Sequence, residues 1–148
     1  IIEASNSSHL NDNFLELYKK TLIMKKFISK DLGKNAISTY KRASNILEQE
    51  KSVFKNGPDA VLFKHEEEKE LFERINNIRK AFTLREEKKN YEEHLKLLSE
   101  TKLSTDKFFD NVKVNDENKD LKNNRLELLQ ILCSTFNSFV DFSKLEGT

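Results

Sequence analysis

The sequence is poor in residues that shape tight turns: its 148 residues include three glycines, one proline and no tryptophan. A β-fold of this size needs many turns, and such turns usually contain glycine or proline. Charged residues make up 34% of the chain, in long runs of lysine and glutamate mixed with leucine and asparagine. These features predict a soluble all-α fold, and the length suits one domain spanning residues 1–148.

Cysteine and histidine are scarce as well. The single cysteine, Cys133, excludes an intramolecular disulfide and fits a reducing compartment. Because it lies among leucines and phenylalanines, we expect a buried small hydrophobe and not a reactive thiol. The three histidines are far apart and none has the spacing of a metal ligand, so the sequence predicts no metal site.

Motifs that support catalysis are absent from the sequence. Its three isolated glycines form no phosphate-binding loop, and no GxSxG nucleophile motif occurs. The acidic run at Glu66, Glu67 and Glu68 opens a predicted helix, where negative charge complements the helix dipole and is expected to stay solvated. We therefore predict that this chain carries no catalytic residue and no cofactor of its own.

Long apolar runs are missing too. No segment approaches the ~18 consecutive apolar residues of a membrane span. The first ten residues lack the basic region and the apolar length of a signal peptide. The expected location is therefore the cytoplasm, with no membrane partner.

The net charge of +1 conceals an uneven distribution of charge. Residues 19–55 contain ten lysines and arginines against three acids, whereas acids and bases nearly balance in residues 56–100. A basic half beside a neutral half indicates a face that meets a polyanion. The alternative is a lysine-rich surface that is simply solvated.

Apolar residues recur at helical spacing along most of the chain. The predicted helices are residues 11–29, 34–51, 66–82, 87–102 and 104–112, followed by a long helix that starts at Asp116 and fades out near 142–145. The first has a broad apolar face that includes Phe14, Leu17 and Tyr18. We predict a single helical bundle of five to seven helices.

The last helix carries a cation within its apolar stripe. Asp116 is the expected N-cap, and the preceding Phe108 and Phe109 are expected in the core. The stripe consists of Leu121, Leu128, Leu132 and Phe139. Arg125 falls inside it, and a buried cation is costly unless it is paired. We therefore predict a fixed acidic or carbonyl partner for Arg125, with Asp110 as the first candidate.

The second helix carries a polar row on a face other than its buried stripe. The row consists of Lys34, Ser38, Lys41 and Asn45, with Arg42 alongside. The spacing i, i+4, i+7, i+11 keeps these residues on one side of the helix. The row is basic and contains no acid.

Two blocks of sequence together resemble a known family. They are KRASNIL at residues 41–47, and FFDNVKVNDE at 108–117 followed by NRLELL at 124–129; the chain then reads VDFSKL at 140–145. Their order and spacing resemble the C-terminal portion of bacterial glycyl-tRNA synthetase beta subunits. That portion is similar to the helical DALR anticodon-binding domain, which also occurs in arginyl-tRNA synthetase. The tetrapeptide that names this domain aligns with KDLK at 119–122, where only the leucine and a terminal base survive.

The resemblance implies a C-terminal fragment of a longer beta subunit in an alpha2beta2-type heterotetramer. There the alpha subunit uses ATP and Mg to activate glycine, and the beta subunit binds tRNA(Gly). This domain would meet the anticodon stem-loop and contribute no bond-making residue. RNA loops are recognised by phosphate contacts, stacking and hydrogen bonds to base edges. On that basis the predicted RNA-binding residues are Lys34, Ser38, Lys41, Arg42 and Asn45.

Alternatives stay open at this point. Arg42 could pair with an acid across the bundle, and Asn45 could cap or brace a neighbouring turn. Asp110, Asn124 and Arg125 are expected to be structural, with RNA contact as the second possibility. The alternative functions are a non-catalytic helical protein–protein interaction module and the equivalent domain of arginyl-tRNA synthetase.

Overall fold

The computed structural model describes residues 8–28, 30–50, 57–84, 91–139 and 141–145. Within these ranges the chain forms five α-helices and no strand. The helices are α1 Ser8–Ile28, α2 Asp31–Glu50, α3 Glu66–Leu84, α4 Tyr91–Asn111 and α5 Lys119–Phe139. Two short 3-10 helices, η1 Ala60–Leu62 and η2 Phe142–Leu145, precede α3 and follow α5. The prediction of an all-α bundle is confirmed.

The core lies among the last four helices. Both α4 and α5 pack against α2 and α3, and the α2–α4 contact is the most extensive. Each of the four contributes side chains that are almost fully buried, including Ala36, Tyr40, Ala43, Leu71, Ile75, Ile78, Leu95, Leu98, Phe108, Leu128, Leu129, Leu132 and Phe136. Cys133 joins this core, and burial raises the pKa of its thiol to about 12. Its burial among these side chains confirms the predicted small hydrophobe, and the raised pKa keeps the thiol protonated at neutral pH.

Helix α1 lies at the edge of this arrangement and packs mainly against α2. Three residues of its predicted apolar face, Phe14, Leu17 and Tyr18, are 48%, 58% and 55% exposed. These three side chains of the apolar face predicted for the first helix therefore lie largely outside the core. Of the helices in the described ranges, none is both long and apolar enough to cross a membrane.

Helix α4 is continuous from Tyr91 to Asn111, so the predicted division into helices 87–102 and 104–112 is wrong. Two features carry the helix through that region. The hydroxyl of Thr101 donates to the carbonyl of Leu98 at 2.6 Å, so this polar side chain is satisfied by its own helix. The ammonium of Lys102 donates to the Asp106 carboxylate at 2.7 Å, an i, i+4 pair that spans the expected break.

The start of α5 also differs from the prediction. The side-chain oxygen of Asn118 accepts hydrogen bonds from the backbone N–H groups of Asp120 and Leu121, so Asn118 is the N-cap. Asp116, the predicted cap, instead accepts from the N–H of Asn118 and forms a turn before the helix. The helix therefore begins at Lys119, and three hydrogen bonds to the side chains of Asp116 and Asn118 fix its start.

The segment after α5 folds back onto the bundle. The ring of Phe142 lies 5.0 Å from the Phe136 ring and 5.6 Å from the Tyr40 ring, between centroids. Asn137 fixes this return, because its amide donates to the Tyr40 hydroxyl while its carbonyl oxygen accepts from the Phe142 N–H. The end of the described chain thus seals the core between α2 and α5.

Candidate nucleic-acid interface

The polar row predicted on α2 lies at the surface. Lys34, Ser38, Lys41, Arg42 and Asn45 are all exposed, and the continuous helix holds them on one side of the bundle. We refer to these five residues as the α2 row. Of its members, only Arg42 has a side-chain hydrogen bond, ion pair or ring contact to the described part of the chain. The other four side chains are thus available to a ligand.

Arg42 is held against α4 on one side. One guanidinium nitrogen lies 3.5 Å from an oxygen of Asp106, and the guanidinium carbon lies 4.2 Å from the centroid of the Phe109 ring. The second oxygen of Asp106 accepts from Lys102 at 2.7 Å, so the carboxylate is shared by two cations. Arg42 therefore does pair with an acid across the bundle, as the structural alternative predicted. Its side chain is nevertheless 50% exposed.

Arg125 lies in the opposite environment, with only 2% of its side chain exposed. Its Nε donates to Glu68 at 2.9 Å, and one terminal nitrogen donates to the Lys113 carbonyl at 2.7 Å and to Asp116 at 3.3 Å. The prediction of acidic and carbonyl partners is confirmed, but the choice of Asp110 is wrong. Asp110 is exposed. Because it follows the buried Phe108 by two residues, it lies about 200° further round α4.

Glu68 is the acidic partner of Arg125, a role that the sequence does not predict. The run Glu66, Glu67 and Glu68 predicts solvated acids, yet the side chain of Glu68 is 1% exposed. One carboxylate oxygen accepts from the backbone N–H groups of Lys64 and His65, which caps α3, while the other accepts from Arg125. A glutamate at the third position of a helix that accepts from the N–H of the N-cap residue forms the return half of a capping box, here with His65 at the N-cap. The third position of a predicted helix is the signal that could have identified Glu68, although the residue at the cap is not Ser or Thr.

Asn124 is also buried and fully engaged. Its side-chain oxygen accepts from the N–H of Asp59 at 2.6 Å, and its amide donates to the carbonyl of Asp59 at 3.1 Å. This two-way bond ties the segment before η1 to α5. Together, Asn124 and Arg125 connect the segments that precede α3 and α5 to the core. Both therefore have structural roles, and RNA contact by Asp110, Asn124 or Arg125 stays a prediction.

Two more charged residues, at or just before the start of α5, have defined partners. Lys122, at the last position of the KDLK tetrapeptide, lies 3.0 Å from Glu50 and joins α5 to the end of α2. The backbone N–H of Asn118, followed by the charge of Arg125, holds the pKa of Asp116 below its usual range. Asp116 therefore remains ionised at neutral pH, as its contact with Arg125 requires.

Comparisons with known proteins identify one matching family and several similar chains. The family model of the DALR anticodon binding domain matches residues 36–143, from the first turns of α2 to η2. The chain is 38% identical over 136 residues to glycine–tRNA ligase beta subunits of Rickettsia africae, Rickettsia prowazekii and Rickettsia felis. In each case the alignment covers 92% of this chain and 20% of the relative. The chain thus spans about a fifth of the length of these curated relatives.

The matched region includes four of the five α2-row residues, the Arg125 network and the aromatic return at Phe142. The resemblance predicted from the KRASNIL and FFD/NRL blocks is confirmed by the family match and by the relatives. The chain belongs to the DALR anticodon-binding domain family.

Proposed function

We propose that this chain binds the anticodon stem-loop of tRNA(Gly) as one domain of a glycine–tRNA ligase beta subunit. The observation that carries the proposal is the α2 row, an exposed basic surface in a domain of the anticodon-binding family, whose two lysines have no acidic partner among the described residues. The 38% identity to glycine–tRNA ligase beta subunits supports glycine as the amino acid of the enzyme and favours it over arginine.

The row has the mixture of groups that RNA loops require. Lys34 and Lys41 can neutralise phosphates, since each is exposed and has no acidic partner in the described part of the chain. Ser38 and Asn45 supply donors and acceptors of the kind that match base edges. Along α2 itself no acid lies between Asp31 and Glu48, and the Asp106 carboxylate of α4 that approaches Arg42 is shared with Lys102. The five-residue row therefore carries three cations and no acid of its own, which favours a polyanion.

The role in the whole enzyme follows from this assignment. The domain, residues 1–148, would be the C-terminal part of the beta subunit and would contribute tRNA affinity to the ATP-dependent ligation of glycine. An alpha subunit would supply the active site with ATP and Mg, in an alpha2beta2 heterotetramer located in the cytoplasm. The domain itself would bind no cofactor.

A protein-interaction role is the second candidate, and one observation favours it. The exposed apolar residues Phe14, Leu17 and Tyr18 of α1 form a surface that suits a protein partner better than RNA. That surface lies on a different helix from the α2 row. The two roles are thus compatible, with α2 contacting RNA and α1 contacting protein.

A charge-matched pair of double variants tests the RNA assignment. Lys34→Ala with Lys41→Ala removes two charges from the α2 row, whereas Lys69→Ala with Lys80→Ala removes two exposed charges from α3. The probe is an RNA hairpin with the tRNA(Gly) anticodon arm, titrated at several salt concentrations. We expect the first variant to bind more weakly and to reduce the slope of log K against log salt by about 1.5, since each lost phosphate contact contributes about 0.7 to 0.9.

The control variant should keep the affinity and the slope of the parent. Equal losses in both double variants would mean that the hairpin responds only to net charge, and the assignment of the α2 row would then be wrong. Arg42 is left unchanged in this experiment because it is already engaged by Asp106 and Phe109.

A further inference from the structure

Arg42 forms a layered contact that the phosphate-binding role does not use. Its guanidinium carbon lies 4.2 Å above the centroid of the Phe109 ring, at stacking distance. Phe109 is itself supported by the fully buried Phe108, whose ring meets it edge-on with centroids 5.4 Å apart. The guanidinium therefore packs on Phe109, and Phe109 packs against Phe108, which belongs to the core.

The orientation of Arg42 is fixed at its edge. Asp106 forms an ion pair with one terminal nitrogen of Arg42 and accepts a hydrogen bond from Lys102. A side chain constrained at its edge and beneath its plane loses less conformational entropy when a ligand binds. With half of the side chain exposed, surface remains for a second planar group to stack on the layer.

From this geometry we infer that Arg42, backed by Phe109, is a stacking platform for one unstacked nucleobase of an RNA loop. This inference rests on the proposed RNA-binding function and names the group that the α2 row recognises. Bases that leave the helical stack are bound by aromatic side chains or by arginine planes. The stack needs no particular base, because every base has a π-face.

A phosphate fits the same position less well. Phosphate binds the edge of a guanidinium through two parallel N–H donors. One terminal nitrogen of Arg42 already faces the Asp106 carboxylate, whose charge would repel a phosphate at that nitrogen. A neutral base that stacks on the plane of the guanidinium does not meet this repulsion, because it carries no negative charge.

The neighbours of Arg42 could add sequence preference to the stack. Ser38 lies four residues before it and Asn45 three residues after it, so both are one turn away on the same face. Both are exposed, and neither side chain has a partner in the described part of the chain. A base stacked on Arg42 would therefore have hydrogen-bonding groups on two sides.

The test combines protein variants with an abasic scan of the RNA. Each loop nucleotide of the tRNA(Gly) anticodon-arm hairpin is replaced in turn by an abasic residue, and the dissociation constants are measured with the 148-residue chain. The protein variants are Arg42→Lys, which keeps the charge but loses the planar group, and Phe109→Leu, which removes the support. Arg79→Lys, on the exposed face of α3, is the matched control.

With the parent and with Arg79→Lys, we expect one abasic position to weaken binding about fivefold or more, the lower range for a lost base–aromatic stack. With Arg42→Lys, removal of that base should leave the dissociation constant almost unchanged, and the salt dependence of binding should equal that of the parent. Melting curves establish that each variant is folded, and the surface change Arg42→Lys decides the matter if Phe109→Leu is unstable.

The possible failures are distinct. In one outcome, each abasic substitution lowers the RNA affinity of Arg42→Lys as much as it lowers that of the parent, while Lys34→Ala with Lys41→Ala still weakens binding. The platform is then wrong, and the RNA-binding function stands. If the parent does not bind the hairpin at low salt, both the platform and the proposed function are wrong.

Discussion

Arg42 and Arg125 carry the same cation in two contrasting parts of the molecule. Arg125 is 2% exposed and donates to two carboxylates and a backbone carbonyl, while Arg42 is 50% exposed and rests on one aromatic ring and one shared carboxylate. Both contact an acid from another segment of the chain, so a simple inventory of ion pairs would treat them alike. Burial separates them.

The difference has an energetic origin. A buried cation whose partner is removed leaves an uncompensated charge in a low-dielectric interior, which is strongly unfavourable. An exposed pair gains little over hydration by water and contributes at most about 1 kcal/mol. Arg125 therefore holds the fold together, and Arg42 is free to exchange part of its hydration for a ligand.

The largest expected effect on stability comes from removing the buried arginine, Arg125. Arg125→Ala should lower the free energy of unfolding by about 3 kcal/mol, because Glu68 would remain buried without its cation. For a domain of this size that corresponds to a fall in melting temperature of roughly 6–12 °C. Thermal unfolding followed by circular dichroism would measure it, and a melting curve equal to that of the parent would contradict the structural role.

Removing the exposed arginine, Arg42, should lower the stability of the fold much less. Arg42→Ala is expected to lower the free energy of unfolding by no more than about 1 kcal/mol, since Asp106 keeps Lys102 as a partner and remains partly hydrated. Denaturant titration alongside Arg125→Ala would compare the two directly. A destabilisation as large as that of Arg125→Ala would show that Arg42 is a structural residue and would remove the basis of the contrast.

The smallest effect concerns Asp116, the partly exposed partner of Arg125. Its pKa in the folded chain is lowered from the usual 3.8, first by the Asn118 N–H and then by Arg125. A depressed pKa stabilises the fold above the unfolded-state value, and that contribution is lost as the pH falls toward the folded-state pKa. The parent should therefore be more stable than Asp116→Asn at neutral pH, and the gap should narrow below about pH 4.

Melting temperatures of the parent and Asp116→Asn between pH 3 and 7 would test this dependence. The other carboxylates titrate in both proteins, so the pH dependence of the difference is the informative quantity. A difference that is constant across the range would mean that ionisation of Asp116 does not contribute to stability.

Much of the fold was predictable from local sequence. The apolar spacing placed the second helix at 34–51 and the third at 66–82, and the structure has Asp31–Glu50 and Glu66–Leu84. The errors arose where side chains override local tendencies. The Lys102–Asp106 pair stabilises α4 across a region where Ser104 predicted the start of a new helix. Asn118 is the N-cap of α5, whereas the sequence predicted Asp116.

The candidate surface was predictable in part. Helical periodicity put Lys34, Ser38, Lys41 and Asn45 on one exposed face, and the helix they lie on was correctly identified. Periodicity also placed Arg125 in the core and required partners for it. It could not choose between Asp110 and Glu68, because Glu68 is 57 residues away in sequence and meets Arg125 only when α3 packs beside α5.

The sequence by itself determined the helical class, the burial of Cys133 and Arg125, the basic face of α2 and the resemblance to a DALR domain. These properties depend on composition, spacing and residue identity, which are local. Only the tertiary structure decided which acid neutralises Arg125 and what lies beneath Arg42. Those contacts join α3 to α5 and α2 to α4, and helix packing brings them together at distances that no spacing along the chain encodes.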